Sequence, residues 1–225
     1  MQLTHMKFRL LLLLTMFSSI YFAQNSIQDI DGNSYQVIRI DSTEWITSNL
    51  KTTRFSNGDS IPTTKNKKTA LTIDTNKIYR WAPAGDNERI KNQGYLYSWA
   101  TAIDNRGICP TGWKVPSDND WKILVDKLFT ETNSIRVNET ENANFTYKKR
   151  LENHEIPFLK EVEFAGGRMI TGNYIFQQTF AYYWSNTLDY KGFAWMWYFS
   201  TTSVNHYNFE VNGGLSVRCM RSNFD

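Results

Sequence analysis

The stretch Cys109-Pro-Thr-Gly-Trp-Lys-Val-Pro-Ser-Asp-Asn-Asp-Trp121 leads from a cysteine into the best-marked helix of the sequence. Ser117 is the predicted N-cap, because it follows a proline and precedes apolar residues at helical spacing. Those apolar residues are Trp121, Leu124, Val125 and Leu128. Asp118 and Asp120 are expected in the first turn, where the helix dipole favours negative charge. Both carboxylates therefore have a structural explanation that needs no acid/base chemistry.

Downstream of this helix, apolar and polar residues alternate in the manner of strands. The segment Phe193–Phe199 is apolar on both faces, which predicts a central strand. The turn Asn212-Gly213-Gly214 separates the alternating stretches 207–211 and 215–219, and this pattern predicts a hairpin. Cys219 lies on the apolar face of the second stretch and should be buried.

Upstream, Asp31-Gly32 separates two short apolar pieces and predicts an early hairpin, while Asn57-Gly58 predicts another turn. From about 130 to 153 the chain is polar, which is typical of a surface insertion rather than of a second domain. Residues 24–225 are enough for one domain with a substantial core. The sequence thus predicts a single α+β domain, strand-rich with one or two helices.

The first residues have the order of a secretory signal peptide. Lys7 and Arg9 precede the apolar run Leu10–Leu14, and Ala23 marks the expected end of the segment. This run is too short to favour a retained membrane anchor. We therefore expect cleavage of residues 1–23, a secreted or cell-surface address with the periplasm as the alternative, and no membrane span in the mature chain.

The chain has two cysteines, Cys109 and Cys219, both in the part that would be exported. An oxidising compartment favours a disulfide between them. Because it would close a loop of roughly 110 residues, its chain-entropy contribution would be about 4 to 5 kcal/mol. The alternative is a free catalytic thiol, which would need a basic partner.

Five blocks of the sequence, in order, resemble the Fibrobacter succinogenes major paralogous domain family. They are Trp45–Lys51, Gly94–Ala102, Cys109–Trp121, Tyr183–Thr187 and Gly214–Arg221. The resemblance runs from about residue 27 to residue 221 and implies a bacterial, exported protein. It also implies a C-type-lectin-like fold of the kind shared with formylglycine-generating-enzyme-like domains, while no activity follows from it.

Chemically reactive patterns are sparse in the mature part. Its histidines, His154 and His206, lie outside any zinc-binding motif and are interpreted as surface residues. The sequence has no nucleophile elbow and no phosphate-binding glycine motif. We therefore assign no catalytic residue and no metal ligand. Without its first 23 residues the chain would carry 23 basic and 22 acidic residues, a balance that gives no support to a nucleic-acid partner.

Aromatic residues make up 15% of the chain, which is the one compositional indication of a sugar ligand. Five tryptophans are interpreted as core residues, namely Trp99, Trp113, Trp121, Trp195 and Trp197. The candidate binding edge is 182–189, with Trp184 as a stacking face and Asn186 and Asp189 as oxygen ligands for a hydroxyl group or calcium. Its Trp-x-Asn step followed by Asp loosely resembles the calcium-and-sugar loop of C-type lectins. Any glycan or calcium binding is therefore expected to depend on this edge.

The function predicted from the sequence is that of a non-catalytic binding or cell-surface module, with an extracellular glycan or a protein as ligand. No cofactor is expected, with calcium as the alternative. Two rival functions stay open. An enzyme related to the formylglycine-generating group would need a reduced, exposed cysteine or a bound copper or calcium. A structural or adhesion component without a small ligand would be favoured by burial of the aromatics 182–184.

Overall fold

The computed structural model describes residues 26–66, 69–72, 77–130, 135–138, 145–148, 162–201 and 203–222. Its strands are β1 Ser26–Gln28, β2 Ser34–Ile40, β3 Thr43–Ile46, β4 Arg80–Trp81, β5 Leu96–Tyr97, β6 Ile135–Asn138, β7 Phe145–Lys148, β8 Gly167–Arg168, β9 Tyr174–Ile175, β10 Ala181–Tyr190, β11 Phe193–Phe199, β12 Ser203–Glu210 and β13 Met220–Ser222. Its α-helices are α1 Ile90–Gln93, α2 Trp99–Ala102 and α3 Asp118–Thr130, preceded by the 3₁₀ turns Pro83–Gly85 and Asn87–Arg89. The predicted signal peptide and His154 lie outside the described residues.

Two antiparallel sheets carry the described part of the fold. The first has the order β1-β2-β3-β13, so strands from opposite ends of the chain are neighbours. The second has the order β10-β11-β12-β7-β6, and two further strand pairs, β4-β5 and β8-β9, lie outside these sheets. The strand-rich prediction is confirmed, as are the early hairpin, now β1-β2, and the central strand β11. Three α-helices occur among the described residues instead of the predicted one or two, because α1 and α2 are single turns.

The polar stretch 130–153 contributes backbone to the second sheet. β6 and β7 pair with each other, and β7 pairs with β12 through Ser203 and Val204. The strands extend the sheet beyond β12, an arrangement that the polar composition did not predict. Residues 131–134, 139–144 and 149–153 of the stretch lie outside the described residues.

Helix α3 begins with the predicted cap. The Asp120 backbone N–H donates to Ser117 Oγ over 3.1 Å, and the Ser117 backbone N–H donates to Asp120 Oδ2 over 2.8 Å. This is a reciprocal capping box with aspartate at the third helical position. The buried side chains of the helix are those predicted from its spacing, with Trp121 fully buried. The capping prediction is confirmed.

Replacing Ser117 by alanine should lower the free energy of unfolding by about 1 kcal/mol, the usual effect of losing an N-cap oxygen. Urea denaturation of the purified mature domain measures the change. Ser117→Thr is the matched control, because it keeps a hydroxyl oxygen at the same position. Equal losses for both variants would contradict the capping explanation and would point to packing around the serine.

The predicted hairpin over 207–219 is wrong in its second half. β12 forms as expected, but the following chain leaves that sheet, and Leu215 bridges to Tyr97 instead. Every residue from 211 to 220 is buried, including the polar ones, and Arg218 is 0% exposed. The alternation of apolar and polar residues therefore does not indicate a solvent-exposed face here, because residues 211–220 run through the interior of the domain.

Cys109 and Cys219 form a disulfide, as predicted. Both cysteines are buried, so the prediction that Cys219 lies in the core is also confirmed. Since these are the two cysteines of the chain, neither is a free thiol. The bond joins the segment ahead of α3 to the residue that directly precedes β13.

Four of the five predicted core tryptophans are buried, whereas Trp195 is half-buried. Trp195 stacks on His206, with ring centroids 4.2 Å apart. The prediction that His206 is a surface residue is wrong, because its side chain is only 10% exposed. Its Nε2 atom lies 2.6 Å from Oδ1 of Asp118, the residue that begins α3.

Candidate functional site

The predicted binding edge 182–189 is largely interior. Tyr182, Tyr183 and Trp184 are 8%, 0% and 0% exposed. The Trp184 indole N–H donates to Tyr97 O over 2.7 Å. No face of the Trp184 ring is open to a ligand, which argues against the predicted stacking role. A buried indole with a satisfied N–H is a core group.

Asn186 and Asp189 lie closer to solvent on β10, but they do not converge on one point. The Asn186 side-chain amide donates to Val115 O over 3.1 Å, and Asn186 borders a cleft beside the disulfide. Asp189 accepts from the Asn208 side chain over 2.8 Å. Each side chain thus has a protein partner of its own, and the structure does not bring either together with Trp184 as a sugar site.

A different cleft has the features of a ligand site. It encloses about 510 Å³, within the usual range of small-molecule pockets. Its lining includes the aromatic side chains of Trp81, Tyr95 and Tyr174 and the basic side chains of Lys65 and Arg80. Hydroxyl and amide groups complete the lining, from Thr63, Thr64 and Asn87. Among the described lining residues, none carries a carboxylate, an imidazole or a thiol.

The strand pair β4-β5 sets the geometry of this cleft. Arg80 and Trp81 are adjacent on β4 and both line the cleft, although Trp81 is only 3% exposed. The Trp81 indole N–H donates to Thr64 Oγ1 over 3.0 Å, which attaches the 63–65 segment to the strand. Gly214 is needed behind Trp81, because a Cβ there would lie 2.8 Å from the indole ring.

Arg80 is the most distinctive group in the cleft. Its guanidinium lies over the Tyr95 ring, 4.6 Å from the centroid. This cation–π contact orients the planar group. The Nε atom is buried and has no hydrogen-bond partner among the described residues. A buried donor without an acceptor is costly, so this nitrogen is a polar group that the described part of the protein leaves unsatisfied.

Tyr174 on β9 adds another aromatic ring to the lining of the cleft. Burial raises the pKa of its hydroxyl, while the neighbouring Arg168 guanidinium opposes that rise. The hydroxyl is therefore protonated at neutral pH and able to donate a hydrogen bond. Arg168 itself is 0% exposed and packs over the Trp81 ring, 4.4 Å from the centroid. A buried cation thus supports the aromatic wall from behind.

A second cleft of about 460 Å³ adjoins the first. The two share Ile90 and Tyr95, so the tyrosine forms a wall common to both. Lys51 and Lys91 line the second cleft, together with Asp31. Both clefts therefore combine the Tyr95 ring with basic side chains.

Sequence reasoning missed this site. Tyr95 lies in the family-like block 94–102, but the pattern gave it no role. The available signal was the succession Tyr79-Arg80-Trp81, a short basic and aromatic strand, which was not interpreted. Tyr174 lies 94 positions after Arg80, and nothing local in the sequence places the two in one cleft.

No described helix is long and apolar enough to cross a bilayer. Within the described ranges, no three side chains of His, Cys, Asp or Glu are grouped so that they could hold a metal ion.

The comparisons with known proteins identify one match. The family model described as the Fibrobacter succinogenes major domain matches residues 38–221. No curated protein and no solved structure matches the chain at a significant level.

Proposed function

The chain belongs to the Fibrobacter succinogenes major domain family, and from the geometry of its cleft we propose that it is an exported, non-catalytic module that binds an extracellular glycan. The ligand would lie in the cleft between Tyr95 and Tyr174. The family name states no activity, so the proposal depends on the site itself.

The observation that carries the proposal is the Arg80 guanidinium, which lies over the Tyr95 ring in a cleft that Tyr174 and Trp81 also line. Aromatic faces with a few fixed polar groups are the usual composition of small-molecule sites. Asn87 and Thr63 add amide and hydroxyl groups of the kind that pair with sugar hydroxyls. The described lining supplies binding groups rather than a nucleophile with its base.

Replacing Tyr95 by alanine should weaken binding of a recognised polysaccharide at least about tenfold, because an aromatic anchor shared by two clefts would be lost. Isothermal titration of the mature protein against soluble plant, algal and bacterial polysaccharides measures the affinities. Thermal melts of both proteins show whether the variant is folded.

Tyr207→Ala is the matched control. Tyr207 is 53% exposed on β12 and is not among the residues that line either cleft. We expect this variant to bind like the parent. Equal losses for the two tyrosines, or no binding by the parent to any polysaccharide, would reject the proposed site.

A C-type-lectin-like fold is the second part of the proposal, as the sequence resemblance implies. The pairing of β3 with β13, which joins distant parts of the chain, supports it. Helix α3 also packs against β10 and β11, and a long-range disulfide lies next to β13. A crystal structure that fails to superpose on C-type-lectin-like domains over these elements would reject this assignment.

Export is the third part of the proposal. We expect the mature protein to begin near Gln24, because the signal peptide would be cleaved, and to contain no free thiol, because export would place both cysteines in an oxidising compartment. Intact mass of protein recovered from the cell envelope or medium measures both properties, before and after alkylation of the denatured, unreduced chain. A mass that includes residues 1–23, or a gain on alkylation, would contradict this expectation.

A structural or adhesion role is the second candidate function, and one observation favours it. The aromatics 182–184 are buried, which was the condition under which the sequence favoured this alternative. A deletion strain distinguishes the two functions. If adhesion is lost and the Tyr95→Ala protein restores it fully, the glycan cleft is not the functional surface.

A further inference from the structure

The two clefts beside Tyr95 carry an excess of positive charge. Lys65 and Arg80 line the first, and Lys51 and Lys91 line the second. The excess is local, since the chain from residue 24 onward has nearly balanced charge. A groove lined by one sign of charge raises the local concentration of ligands of the opposite sign.

Asp31, the carboxylate among the lining residues, does not offset this charge. It forms an ion pair with Arg54, and it also accepts from the backbone N–H and the hydroxyl of Thr53. Although burial alone would raise it, these hydrogen bonds hold the pKa of Asp31 below its usual value. The carboxylate is therefore ionised, but its charge is already matched by Arg54.

We propose, resting on the glycan-binding function above, that the ligand is an acidic polysaccharide whose chain crosses Tyr95 from one cleft into the other. Arg80 and Lys65 hold one acidic group, and Lys51 and Lys91 hold another. The chain contacts the face or edge of Tyr95 between them. The Arg80 guanidinium suits this role, because its planar donor edge matches a carboxylate or a sulfate group.

The aromatic lining favours a polysaccharide over an acidic protein segment. Tyr95 and Tyr174 offer ring surfaces in a concave site, while Thr63 and Asn87 offer groups for uncharged hydroxyls. An acidic peptide would use the basic side chains but would leave these groups without a matched partner. Charge and ring stacking together fit a polymer in which acidic groups and sugar rings alternate.

The test titrates the full mature protein with polygalacturonate and with dextran sulfate, and it uses uncharged dextran as the matched neutral polymer. Both acidic polymers, or one of them, should bind at least about tenfold more tightly than dextran at moderate salt, and the preference should fall as salt rises. Poly-L-glutamate serves as the acidic polymer without sugar rings and should bind more weakly.

Two variants test the positions of the acidic groups. Arg80→Gln should weaken acidic polysaccharide binding about tenfold, and Lys51→Gln combined with Lys91→Gln should weaken it by a similar factor. The matched control is Lys191→Gln, which removes a charge at an exposed position that lines neither cleft, and it should change affinity less than about twofold. Thermal melts confirm that each variant is folded.

Each remaining outcome rejects a defined part of the inference. If dextran binds as tightly as the acidic polymers and Tyr95→Ala abolishes its binding, the acidic ligand is wrong while glycan binding stands. If Arg80→Gln alone has an effect, the chain does not cross Tyr95. If poly-L-glutamate binds as tightly and responds to Arg80→Gln, the ligand is an acidic protein. If no polysaccharide binds, the proposed function fails and this inference fails with it.

Discussion

Replacing Cys109 and Cys219 together by alanine is expected to lower the free energy of unfolding by about 4 to 5 kcal/mol. The two cysteines are 110 positions apart, and the entropy of closing so long a loop in the unfolded chain gives a value of this size. That is a large fraction of the stability of an ordinary domain. Urea denaturation of the parent and of the double variant, without reductant, measures the difference.

The position of the Cys109–Cys219 disulfide indicates which strands should lose stability first when the bond is removed. Cys219 O accepts from the Ile46 backbone N–H over 3.1 Å, and the next residue begins β13. Hydrogen exchange should therefore accelerate in β13 and in its partner β3 before it does in β11. The reduced parent protein is the control for lost sulfur packing, and it should match the double variant within about 1 kcal/mol. A loss below about 1 kcal/mol in both would contradict the entropic account.

Local chemistry allowed several elements to be predicted from the sequence. The cap of α3 depends on Ser117 and Asp120, three positions apart, and both are visible in one stretch. The two-sided apolar pattern of Phe193–Phe199 has few explanations other than a central strand, and that strand lies between β10 and β12. The secondary structure of both elements is determined by residues that are close together in the sequence.

Elements that depend on distant partners could not be predicted in this way. Arg218 sits in a stretch that alternates like a half-exposed strand, yet its guanidinium is buried near Glu163, 3.7 Å away. His206 is buried with its ring nitrogen against Asp118, 88 positions earlier. Burial of a polar side chain requires such a partner, and a single sequence does not show which partner it finds.

The candidate site also depends on residues that are distant in the sequence. The sequence predicted a binding edge around Trp184 and Asp189, because these residues lie close together and loosely resemble the calcium-and-sugar loop of C-type lectins. The cleft instead combines Arg80, Tyr95 and Tyr174, which three separate segments bring together. A concave site assembled from distant segments has no local pattern, so only the tertiary structure reveals it.

The second large effect is expected for Trp184→Ala, which should lower the free energy of unfolding by about 3 to 5 kcal/mol. The ring is fully buried in the same core cluster as Leu215, and its centroid lies 6.0 Å from that of Phe209. The lost hydrogen bond adds little, because Tyr97 O also accepts from the Leu215 backbone N–H. Urea denaturation measures the loss, and Trp184→Phe, which keeps a ring but no N–H, should be intermediate.

The double change Asn186→Ala with Asp189→Ala is the comparison that separates a core residue from a binding edge. It removes the side-chain hydrogen bonds of Asn186 to Val115 and Thr187 and that of Asp189 to Asn208, so we expect a stability loss of about 1 to 2 kcal/mol. Because neither residue lines the clefts beside Tyr95, polysaccharide binding should equal that of the parent, with or without calcium. A folded double variant that no longer binds polysaccharide or calcium would restore the 182–189 edge as the site. That result would also reject the cleft, since Tyr95 and Arg80 would be intact in a protein that binds nothing.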